Sequence, residues 1–101
     1  MPTRYSECPM LVVCDNDNGT YTDPCQVLLD GRKISVSYVE EGKPVTWHGE
    51  ETDTGHYMLR NTAAEWGTLH RSPNSDILEG RWSVEGLKGF WEITLKNLET
   101  L

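Results

Sequence analysis

Lys33-Ile34-Ser35-Val36-Ser37-Tyr38-Val39 decides the fold class. Ile34, Val36 and Tyr38 alternate with Ser35 and Ser37, the two-residue period of a strand that buries one face. Just upstream, Cys25-Gln26-Val27-Leu28-Leu29 runs into Asp30-Gly31. Asp-Gly between β-rich runs predicts a hairpin, because both central residues of a type I′ turn need positive φ. Downstream, Glu40-Glu41-Gly42-Lys43 turns into Pro44-Val45-Thr46-Trp47-His48-Gly49-Glu50. Pro44 can open such a strand but cannot sit centrally in it.

The same grammar continues outward. Thr52 to Gly55 turns into His56-Tyr57-Met58-Leu59-Arg60, and Asn61 to Glu65 loops into Trp66-Gly67-Thr68-Leu69-His70-Arg71. Ser72-Pro73-Asn74-Ser75 supplies turn chemistry before Ile77 to Val84, and Glu85-Gly86 turns into Lys88 to Lys96. Met10 to Cys14 reads as a first strand, and the tail 95–101 as a single helical turn. Segments recurring about every ten residues predict an all-β, antiparallel up-and-down meander of about eight short strands, forming a small barrel or half-barrel. A length of 101 residues suits one domain, 1–101.

Parity along the strands predicts the inner face, since side chains alternate and short turns hold the register. Starting from Ile34, Val36 and Tyr38, it gathers Val27, Val45, Trp47, Tyr57, Leu59, Leu69, Leu78, Trp82, Val84, Trp91, Ile93 and Leu95. With Glu85-Gly86 as a two-residue turn, Trp82 falls opposite Gly89 and Trp91 opposite Gly80. Glycine beneath an indole permits tight curvature, and the ring restores the missing packing.

Glu79-Gly80-Arg81-Trp82 and Gly89-Phe90-Trp91-Glu92-Ile93 place a Gly-x-Trp and a Gly-Phe-Trp motif on successive strands. This pattern resembles the small meander barrels of the calycin group: lipocalins, fatty-acid-binding proteins and avidins. In lipocalins the motif lies near the N-terminus; here it lies near the C-terminus. The resemblance implies architecture and an interior that binds a small apolar or aromatic ligand, here against Trp47, Tyr57, Trp82 and Trp91. It supplies no binding residue of its own. Side chains can fill an eight-stranded interior, so a large lipid is not expected.

The formal net charge of -7 repels a phosphate backbone, and the nine basic residues form no cluster, so nucleic acid is not an expected partner. No basic-then-apolar leader opens the chain, and no stretch reaches the ~18 apolar residues of a membrane helix. Cys8, Cys14 and Cys25 lack C-x-x-C spacing, which fits reduced thiols in a cytoplasmic protein. Cys25 shares the inward parity, and Cys14 is expected near it.

On the outer face, pairing Trp47 with Tyr57 sets His48 opposite His56, and pairing Tyr57 with Leu69 sets His56 opposite His70. Three imidazoles in one row are candidate metal or proton-transfer groups. A straight row across three strands spans nearly ~10 Å, too far for one metal to meet both ends. Ser72 and Ser75 lack a nucleophile-elbow motif, and an acid–base pair of Glu50, Glu51 or Asp53 with a histidine stays open. The balance is against an enzyme, and no cofactor is called for. Asp15-Asn16-Asp17-Asn18-Gly19 has glycine fifth where a calcium loop needs it sixth, so it reads as a hairpin connection.

Met58, Arg60, Trp66 and Phe90 carry the outward parity, and aromatic, Met and Arg side chains are enriched in interfaces. The first functional expectation is therefore a non-catalytic protein that binds or inhibits a protein partner through this acidic, aromatic-containing face, or pairs with itself as a homodimer. Binding of a small apolar ligand in the interior is the alternative, and chemistry at the histidine row the third.

Overall fold

The structure is a computed structural model that describes residues 2–15, 19–62 and 64–100. Asn16 to Asn18 and Ala63, where the calcium-loop comparison and part of one connection fall, lie outside the described residues. The elements run β1 (Thr3–Cys14), β2 (Thr20–Asp30), β3 (Lys33–Glu40), β4 (Lys43–Asp53), β5 (His56–Thr62), β6 (Glu65–His70), β7 (Ile77–Val84), β8 (Leu87–Thr94) and β9 (Leu98–Thr100).

Each strand from β2 to β7 pairs antiparallel with the next, and β1 pairs with both β8 and β2. The eight-stranded meander therefore closes into a small barrel, and the half-barrel alternative does not hold. Closure removes the unpaired edges that an open meander would expose. Two of its turns, Glu41-Gly42 and Glu85-Gly86, have positive φ at both central residues, as type I′ hairpins require.

Four expectations need correction. The turn between β2 and β3 centres on Gly31-Arg32, since Asp30 pairs with Lys33; only Gly31 there takes positive φ. The tail is not helical. Leu98 to Thr100 pair with Tyr5 to Thr3, continuing the line of β8 along β1 after a break at Leu95 to Asn97. That break faces a bulge in β1 at Glu7, and Asn97 Nδ2 donates to the Ser6 carbonyl at 2.8 Å across it. β1 itself starts at Thr3 rather than Met10, because β9 and the end of β2 satisfy its backbone on both sides. The fourth correction concerns β4 and its partner, and it matters for the site.

β4 runs on to Asp53, with the turn at Thr54-Gly55. Asp53 Oδ1 accepts from the Thr54 amide at 2.8 Å and Glu51 Oε2 from the Gly55 amide at 3.0 Å, which fixes that late turn. Tyr57 consequently pairs with Glu51, and His48 with Arg60.

The inner face follows parity throughout. Val27, Ile34, Val36, Trp47, Leu59, Leu69, Leu78, Trp91, Ile93 and Leu95 are buried, with Tyr38, Val45, Tyr57, Trp82 and Val84 packed against them. β1 and β2 add Cys8, Met10, Val12 and Cys25. Each fully buried aliphatic side chain contributes about 1.5–3 kcal/mol, so the closed interior is the main stabilising element. No buried side-chain nitrogen or oxygen among the described residues lacks a hydrogen-bond partner.

Candidate functional site

Along several strands the inward parity changes character toward one end of the barrel. β2 reads back from Val27 and Cys25 to Asp23 and Tyr21; β3 runs forward from Val36 through Tyr38 to Glu40; β6 reads back from Leu69 and Gly67 to Glu65. At that end the side chains do not meet. They surround a recess of about 470 Å³, open to solvent at the mouth. Its size lies within the range of small-molecule sites. The opposite half of the interior is filled: Leu59, Leu69, Leu78 and Ile93 are at most 1% exposed.

Aromatic rings make the floor. Trp47 and Trp91 meet edge to face with centroids 5.3 Å apart, and Tyr38 and Trp82 line the wall. Their positions depend on glycine. Trp91, opposite Gly80, reaches across β7 to Gly67, and Trp82 lies against Gly89, its partner in register. All three indole N–H groups are used within the protein. Trp47 Nε1 donates to Tyr38 Oη at 3.0 Å, Trp91 Nε1 to the Thr68 carbonyl at 2.9 Å, and Trp82 Nε1 to the Phe90 carbonyl at 3.1 Å. The recess therefore has no free indole donor from these three rings, and with Trp47 and Trp91 at 3% and 2% exposure the ring surface it offers is that of Trp82 and Tyr38.

Carboxylates make the rim. Asp23, Glu40, Glu41, Glu65 and Glu85 line the recess, and Asn61 Nδ2 donates to Glu65 Oε1 at 2.8 Å. Glu41 and Glu85 stand at the mouth with φ of 50° and 48°, in turn positions that Asn, Asp or Gly usually fill. Burial pushes the Tyr38 phenol above its ordinary pKa; its hydrogen bond from Trp47 opposes the shift, and Glu40, Tyr21 and Glu65 add to it.

Of the four interior residues expected to face a ligand, Trp47, Trp82 and Trp91 line the recess. Tyr57 does not: paired with Glu51 rather than Trp47, it belongs to the opposite end of the barrel. The acidic rim is not legible from the linear sequence. Its signal is present in the inward parity of Asp23, Glu40 and Glu65, but it becomes a rim only when strand ends far apart in sequence are brought round one mouth.

On the outer face the expected row of three histidines breaks. His56 and His70 do stand opposite each other, their ring centroids 4.4 Å apart. His48 pairs with Arg60, and the row continues from His70 to Glu79 instead. Among the described residues no three His, Cys, Asp or Glu side chains converge on a point that could hold a metal ion. Arg60 faces Trp66 directly, Met58 faces Thr68, and Phe90 faces Arg81. Met58 and Trp66 are thus diagonal neighbours, with Phe90 two strands farther on. Among the described residues no helix is long and apolar enough to cross a membrane.

The cysteines are packing groups. Cys25 stands opposite Cys8, not Cys14, whose partner in β8 is Gly89. Burial, with a smaller effect from Cys8, pushes the Cys25 thiol up to about 12. A thiol needs its thiolate to react. The stability this buried thiol contributes is intact below pH 9 and declines as the pH rises from there toward 12. With all three cysteines buried, the folded protein is expected to give almost no reaction with Ellman's reagent at pH 8, and three equivalents once unfolded. Rapid labelling of Cys25 in the folded state would contradict this packing.

No family model, curated protein or solved structure matches the chain.

Proposed function

We propose that this chain is a calycin-like, non-catalytic binding protein that takes a small ligand with an apolar or aromatic face in the open end of its barrel. The supporting observation is the recess of about 470 Å³, floored by Trp47 and Trp91, walled by Tyr38 and Trp82, and stopped below by a filled core. The half-exposed rings of Tyr38 and Trp82 at the mouth of the closed barrel are where a ligand gains from leaving water. The rings are already anchored by their own hydrogen bonds, so little ordering opposes binding.

A second reading keeps the outer face as a site for a protein partner or a second copy. It rests on the exposure of Met58, Trp66 and Phe90, at 40%, 36% and 37%. The four tryptophans separate the two readings, because Trp47, Trp82 and Trp91 line the recess while Trp66 lies outside. In an indole ¹H–¹⁵N titration against a fragment library, binders are expected to move the three recess resonances and leave Trp66 in place. Movement of Trp66 alone, or its broadening with protein concentration, would transfer the function to the outer face.

A further inference from the structure

The recess specifies a charge as well as a size. We propose that it selects a small organic cation, an alkylammonium or quaternary ammonium head, seated against the Trp82 and Tyr38 rings within the ring of rim carboxylates. This rests on the small-ligand reading above and adds the ligand class.

Two independent features point to a cation. The first is the floor. Trp47 and Trp91 close it and are almost completely buried, so the ring surface open to the recess is that of half-buried Trp82 and Tyr38, and the negative face of an aromatic ring attracts a cation within about 6 Å of its centroid. The second is the rim. Asp23, Glu40, Glu41, Glu65 and Glu85 line the recess, and among the described residues no Lys, Arg or His lines it with them. The ion pairs among the described residues join Arg4 to Glu99, Arg32 to Glu51 and Arg81 to Asp15, none of them a rim carboxylate. Lys43 stands opposite Glu40 in register but neither lines the recess nor forms an ion pair with a described residue. The field inside is therefore negative, in a protein whose net charge of -7 already draws cations toward it.

The same geometry decides against other ligands. A bare metal ion needs donors converging on one point, and no three of the described acidic, His or Cys groups converge so. Carboxylates spaced around a wide mouth suit a bulky, weakly hydrated cation whose charge is spread over several carbons. An anion would meet five like charges with no counter-group, and a neutral molecule would leave the rim unused.

Three probes of one shape test this: choline, its uncharged tert-butyl analogue dimethylbutanol, and the anion tert-butylacetate. Each is titrated into ¹⁵N-labelled protein at low salt, following the Trp47, Trp82 and Trp91 indole resonances. Choline is expected to bind at least about tenfold more tightly than the alcohol, and the anion not to bind. The double variant Glu40→Gln/Glu65→Gln is expected to lose about tenfold for choline and nothing for the alcohol. If the alcohol binds as well as choline, the charge preference falls while the small-ligand site stands. If none of the three moves the recess resonances up to its solubility limit, the site itself falls and the cation with it.

Discussion

Gly80→Ala is expected to destabilise the barrel by about 3 kcal/mol, at the upper end of what overpacking a core costs. A methyl group there meets the backbone of β6: the Thr68 carbonyl oxygen closest, then the Thr68 carbonyl carbon at 2.5 Å and Leu69 Cα at 3.0 Å. Nothing flexible stands in the way to yield. Thr68 is held from two sides, its carbonyl by Trp91 Nε1 and its hydroxyl by the Arg81 amide at 3.2 Å. The sign makes the test sharp, because Gly→Ala in an unstrained strand position ordinarily stabilises by about 0.4–1 kcal/mol. Gly31→Ala is the reference. Its methyl group meets nothing within 4 Å, and only the φ of +63° opposes it, for an expected loss of about 1 kcal/mol. Urea denaturation of both variants measures the difference. A neutral or stabilised Gly80→Ala would mean that β6 and β7 do not approach this closely.

Trp91→Ala is expected to cost about 3–5 kcal/mol, a large share of the total stability of a small domain. The side chain is 2% exposed, so nearly its whole surface leaves water on folding. Truncation also removes the edge-to-face contact with Trp47, worth about 0.5–1.5 kcal/mol, and leaves the Thr68 carbonyl without its donor. Trp91→Phe separates the parts. It keeps a ring in place, loses the N–H, and is expected to cost about 1–3 kcal/mol. Denaturant midpoints for the pair give the ring and the hydrogen bond separately; a loss below about 1 kcal/mol for Trp91→Ala would place the ring outside the core. Trp91→Phe, the better-folded variant, is also the one in which to ask how a thinner floor alters ligand binding.

Trp91 shows how far sequence reasoning reached. Its inward direction and its pairing with Gly80 follow from the two-residue Glu85-Gly86 turn, whose type I′ geometry leaves one register. Its contact with Gly67, on β6 beyond β7, depends on how sharply the sheet coils there. Asp30-Gly31 and Thr52 to Gly55 are less legible, because each offers more than one turn of similar chemistry. The first displaces pairing by two residues and the second by four. Even displacements return every side chain to the same face, so the core residues stayed correct while the histidine row did not.

Class, meander and buried face are legible in the residues alone, because these depend on alternation, and alternation survives an error in where a turn closes. The aromatic rings over glycines at the last hairpin are legible there too. Which residues share a row, that the sheet closes, that the tail pairs as β9, and that Asp23, Glu40 and Glu65 stand around one aromatic mouth emerge in the folded barrel alone. Those facts depend on register and closure, which turn hydrogen bonds and long-range pairing set together, and no local run of residues carries them.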